Sequence, residues 1–174
     1  MFRFLSRPKR ETALDPAAIR SLVGALRSDD RHERERTRKH LVAIGAPAIA
    51  PLLELLSDQD EHVRWEAAKV LSRICTPEAA ASLVEFLEDR NSAIRWLAAQ
   101  GLIAAGRAGL PPLLRALIQR SNSVWLREGA HRVLLALARR SPGDPVAPVL
   151  DALEDIEPAL EVPPAAAAAL HAFE

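Results

Sequence analysis

The sequence predicts an all-α protein, an α-α superhelix (solenoid) of about four to five stacked helix pairs. Three observations carry that reading. The apolar fraction is 49%, with no Tyr and only 4% aromatic residues, whereas pleated sheets favour β-branched and aromatic side chains. Apolar residues recur at helical spacing within each segment, as in Leu52, Leu53, Leu55 and Leu56. Above all, the segments repeat: Leu26, Leu56, Leu87 and Leu117 stand at steps of 30, 31 and 30 residues, and Arg34, Arg64, Arg95 and Arg127 at steps of 30, 31 and 32.

Taken in order, residues 1–14 read as a basic N-terminal arm. Phe2, Phe4 and Leu5 lie among Arg3, Arg7, Lys9 and Arg10, which suits contact with a membrane surface through residues 1–10 or folding over the first repeat. Residues 15–157 hold the array. Each unit is a first helix, a polar turn such as SDQD or EDRN, and a second helix opened by Asp30, Asp60, Asn91 or Ser123. These are residue types whose side-chain oxygen satisfies an orphan amide at a helix start. The second helices carry apolar stripes: Val63, Ala67, Val70 and Leu71 in one, Ile94, Ala98 and Leu102 in the next. Pro47, Pro77 and Pro145 sit where first helices begin, and Pro51, Pro112 and Pro148 are expected to bend them one turn in. Residues 158–174 read as an acidic, Ala-rich C-terminal tail, with a short helix expected after Pro164.

Helix pairs of this length cannot bury their apolar faces alone, so neighbours must stack. The motif DxxVRxxAAxxL (Asp60, Val63, Arg64, Ala67, Ala68, Leu71) and its successor NxxIRxxAAxxL (Asn91, Ile94, Arg95, Ala98, Ala99, Leu102) resemble HEAT repeats, in the short form first associated with phycobilisome lyases. The first unit departs from the pattern, with Glu33, Thr37 and Arg38 in place of Val, Ala and Ala, as a solvent-facing cap would. The resemblance implies a right-handed superhelix whose second helices line the concave side. It also implies a ladder of hydrogen bonds between adjacent repeats through Arg34, Arg64, Arg95 and Arg127, with Asp30, Asp60 and Asn91. A phosphate-binding row is the alternative use of those arginines.

Charge and chemistry narrow the function. The chain is neutral overall, with 23 basic and 23 acidic residues. Residues 1–40 hold eleven Lys/Arg against six Asp/Glu, and residues 141–174 hold none against seven. An elongated molecule built this way is electrically polar, and its net charge argues against a nucleic-acid partner. The five histidines include no pair at i, i+4, and no phosphate-cradling or nucleophile-elbow motif occurs. Cys75 is the one cysteine; it fills a helix-end position where neighbouring units have Gly45 and Gly106, and only Arg73 could help it form a thiolate. No catalytic constellation, metal or cofactor is expected. With no long uncharged apolar run, a cytoplasmic setting is the expectation.

The tryptophans are the strongest functional signal. At 100° per residue, Trp65 falls about 200° from Val63, away from the core stripe, and Trp96 repeats that place one unit later. Lys69, Gln100 and Arg132 form the column one turn on, with Trp125 projecting near it. Indoles among Arg, Lys and Gln resemble the core and rim of an interface. The expected function is a non-catalytic protein-interaction scaffold or adaptor that binds on its concave face. The resemblance also admits a chromophore-lyase-like or assembly-chaperone factor and a nucleic-acid-binding HEAT-like protein.

Overall fold

The computed structural model describes residues 15–74 and 76–173. The N-terminal arm and Cys75 lie outside the described residues. The elements are α1 (Pro16–Gly24), α2 (Arg31–Ile44), α3 (Ile49–Leu55), α4 (Glu61–Ile74), α5 (Pro77–Glu85), α6 (Ser92–Ala105), α7 (Leu110–Gln119), α8 (Val124–Arg140), α9 (Ala147–Leu153) and α10 (Pro158–His171). No strand occurs among the described residues.

The repeated leucines form the core. Leu26, Leu56, Leu87 and Leu117 of the first helices, and Leu41, Leu71, Leu102 and Leu134 of the second, are each no more than 2% exposed. The second helices α2, α4, α6 and α8 pack side by side as one layer. Small side chains set their spacing. Ala67, Ala68, Ala98 and Ala99 are buried, and a Cβ on Gly101 would come 3.1 Å from the Ser72 Cα and 2.5 Å from Leu83 Cδ1. Ser92–Gln119 is apolar and long enough to cross a membrane by composition, but it comprises α6 and α7, joined by a turn at Gly106 (φ 63°), and half of its most apolar window is buried in the array.

The second helices begin as their N-caps dictate. Asp30 accepts from the His32 amide at 2.8 Å, Asp60 from His62 at 2.8 Å, Asn91 from Ala93 at 2.7 Å and Ser123 from Leu126 at 3.3 Å. Four first helices close in 3₁₀ turns or begin after one, at Ala25–Arg27, Ala46–Ala48, Phe86–Glu88 and Gly106–Gly109. This relocates two prolines expected to bend their helices. With α3 starting at Ile49 and α7 at Leu110, Pro51 and Pro112 occupy first turns, where the missing amide hydrogen would have had no partner.

The arginine column caps turns and bridges units only in part. Each arginine donates through Nη1 to carbonyls of its own turn: Arg34 to Ser28 and Asp29, Arg64 to Asp58 and Gln59, Arg95 to Asp89 and Arg90, and Arg127 to Ser121. Two also reach the next unit, Arg34 to Glu66 (2.9 Å) and Arg64 to Asp89 (3.2 Å). The acceptors between units are therefore Glu66 and Asp89, while Asp30, Asp60 and Asn91 serve as caps. Arg95 makes no such bridge because Ser121 stands where the preceding turns have Asp58 and Asp89. Glu66 is 1% exposed and is held by Arg34 and Arg38 together, with His62 Nε2 3.6 Å away.

Residues 158–173 are part of the packed array. α10 begins at Pro158 and runs through Pro163 and Pro164, burying Val162, Ala166 and Ala169. It lies against α7 and α9, while α9 packs on α8, so the last pair reverses the layer order of the earlier ones. Pro163 cannot donate to the Ala159 carbonyl, and Ser121 Oγ supplies that bond at 2.9 Å.

Candidate functional site

The outward face of the α2–α4–α6–α8 layer carries the sequence-predicted residues, but in two separate groups. Trp96 and Trp125 are 49% and 42% exposed. Together with Arg95, Ala99, Glu128 and Arg132 they line a cavity of about 90 Å³ between α6 and α8. The Arg95 guanidinium lies 4.7 Å from the Trp125 ring centre, the cation–π arrangement that gains strength when desolvated. It is available there because its unit offers it no carboxylate across the repeat. Gly129 also lines it and lets α8 close onto the core, since a Cβ there would come 2.8 Å from the buried Leu87 Cδ2.

Trp65 differs from Trp96 despite its equivalent register. It is half-buried and packed against the core, with Lys69 Nζ 4.1 Å above its ring and the His62 ring stacked 6.0 Å away at 20°. The residue one turn on decides this. Lys69 folds over Trp65, whereas Gln100 has no charge to draw it onto Trp96. Lys69 in turn lines a cleft between α2 and α4 with Arg31, Glu35, Arg38, Lys39 and Arg73. Burial, then repulsion from Arg38, hold the Lys69 ammonium below the ordinary lysine range. At Glu35 the hydrogen bond and charge of Lys39 (2.9 Å) lower the carboxyl.

Six residues were expected on one surface. Trp96, Trp125 and Arg132 come together, Trp65 and Lys69 form a second group, and Gln100, half-buried, lines neither cavity. Sequence reasoning missed Arg95 as a site residue, because its membership of the turn-capping column hid its contact with Trp125. A further groove, between α8 and the α9–α10 end, is lined by Val124, His131, Leu153 and Glu154, with His131 Nε2 2.8 Å from the Glu154 carboxylate. Among the described residues, no three His, Cys, Asp or Glu side chains come together as a metal site. A 90 Å³ cavity suits one side chain, where drug-sized ligands take roughly 300–1,000 Å³.

Comparison with known proteins bears on the repeats. The family model described as HEAT repeats matches residues 19–103. Residues 19–103 are HEAT repeats. The register of Leu117, Arg127 and Leu134 carries the same helix-pair pattern on into α7 and α8, beyond the matched HEAT segment. Among solved structures, an engineered protein is 23% identical over 87% of this chain and 77% of that chain, with a TM-score of 0.45. A second engineered protein is 21% identical over 92% and 86%, with a TM-score of 0.41. A designed armadillo repeat protein is 19% identical over 90% and 100%, with a TM-score of 0.39. No curated protein matches the chain in sequence.

Proposed function

We propose that this HEAT-repeat chain is a non-catalytic, cytoplasmic interaction scaffold that holds an extended segment of a partner protein along the outward face of its second helices. The observation that carries the reading is the pair Trp96 and Trp125, both more than two-fifths exposed around one cavity. Both α6 and α8 have buried faces of their own, so open indoles bordered by Arg95 and Arg132 match an interface core with a polar rim. In the superhelix that the HEAT resemblance implies, this face is the concave one.

Affinity capture from native extract tests it. The double variant Trp96→Ala/Trp125→Ala is expected to weaken partner retention by more than about 2 kcal/mol, with helicity and melting unchanged. Equal retention by the wild-type chain and the variant would remove this face from consideration.

A further inference from the structure

Between α2 and α4, five cations line one cleft of about 280 Å³: Arg31, Arg38, Lys39, Lys69 and Arg73. The carboxylate among them, Glu35, is engaged by Lys39, and Arg38 is bound to Glu66. Arg31, Lys69 and Arg73 pair with no carboxylate among the described residues. Like charges held this close repel one another, which is part of why the Lys69 ammonium titrates low.

The fold does not require this arrangement. One repeat on, the equivalents of Arg31, Lys69 and Arg73 are Glu61, Gln100 and Ala104, and the helices stack there just as well. The cations therefore suit something outside the chain. They are also spread out: Arg31 and Arg38, seven residues apart, span about 10 Å along α2. That spacing fits several anionic groups in a row better than one phosphoryl group, which needs convergent donors.

The Trp96–Trp125 cavity lies two helices further along the same face. At 8–10 Å per helix the separation is about 18 Å, or roughly five to six residues of extended chain. We propose that this face binds an extended acidic segment of a partner protein, with its carboxylates in the α2–α4 cleft and an apolar side chain about six residues away in the Trp96–Trp125 cavity. The inference rests on the scaffold reading and adds the chemistry of the partner.

Fluorescence anisotropy with the full chain tests it. One fluorescein-labelled synthetic peptide carries a run of glutamates joined to a leucine through a Gly-Ser spacer of about five residues; the other has glutamine for every glutamate. The glutamate peptide should bind at least about tenfold more tightly and lose that margin as salt rises. Arg31→Glu/Arg73→Glu should weaken its binding by about tenfold or more; both side chains are exposed, so a melting curve unchanged from wild type verifies the fold. Equal binding of the two peptides, or indifference to the charge reversal, overturns the proposal. So does tighter binding of a single-stranded oligonucleotide, or self-association of the chain that is lost in the same variant. In the capture experiment, loss with Trp96→Ala/Trp125→Ala but not with Arg31→Glu/Arg73→Glu sinks the acidic segment and leaves the scaffold reading standing. Indifference to both variants sinks both.

Discussion

At the scale of single residues, two buried or half-buried charges carry testable consequences. Glu66 is 1% exposed and neutralises Arg34 and Arg38 at once. Glu66→Ala leaves two partly buried guanidinium groups without their counter-ion and should cost roughly 2–4 kcal/mol, measured by chemical denaturation. Arg34→Ala in the Glu66→Ala background should then cost far less than it does alone. Nothing in the local pattern around Glu66 marked it. The clues were distant: two arginines one repeat earlier, and Leu97 at the equivalent position one repeat later. Lys69 offers a cleaner probe still. The chain has three lysines and no tyrosine, so lysine-labelled NMR yields few resonances in the alkaline range. Because burial and Arg38 lower the folded-state value, the unfolded chain holds that proton more tightly. The resulting deficit in stability is present at neutral pH, and it is relieved as pH rises through the folded value to the ordinary lysine range. One ε-resonance should titrate below the ordinary lysine range and vanish in Lys69→Arg. A Lys69 resonance that titrates within that range would contradict the cleft geometry.

At the scale of elements, the repeat made the second helices legible from sequence alone. Their caps, leucines and arginines recur in register, and each residue type has one physical job at its position. The first helices were less legible because the 3₁₀ turns at Ala46–Ala48 and Gly106–Gly109 leave no hydrophobic periodicity of their own, and they shift Pro51 and Pro112 into harmless positions. α10 was misread as a tail because Pro163 and Pro164 argue locally against a helix. The bond that replaces the missing donor comes from Ser121, 38 residues away. The site was half legible: helical angles put Trp65 and Trp96 on one face, but they could not reveal that Lys69 covers one indole and Arg95 flanks another. Close helix approach gives a prediction at this scale. Gly101→Val in α6 would push the new side chain into Ser72 and Leu83. Overpacking of this kind costs about 1–3 kcal/mol, more than the few tenths that Val gains over Gly in helix propensity, so thermal melting should shift downward.

At the scale of the whole molecule, stability is distributed along a quasi-one-dimensional array in which each pair leans on its neighbours. α10 closes the C-terminal end by lying on α7 and α9. Truncation after Glu157 should therefore lower the melting temperature and broaden the transition, as seen by circular dichroism; a shortened chain that melts like the full one would show that α10 contributes nothing to closure. Hydrogen exchange should find the strongest protection in α4 and α6, which are flanked on both sides. Charge is distributed along the same axis, with the cationic cleft at the α2–α4 end and carboxylates without a single Lys or Arg in residues 141–174. That polarity gives a bound segment a preferred direction. The most direct test of the account is site-specific photo-crosslinking in native extract, with benzoylphenylalanine placed either at Trp96 on the second-helix face or at exposed Glu54 on α3. One adduct band is expected from position 96, competed away by unlabelled wild-type chain, and none from position 54. An adduct from position 54 alone would contradict it.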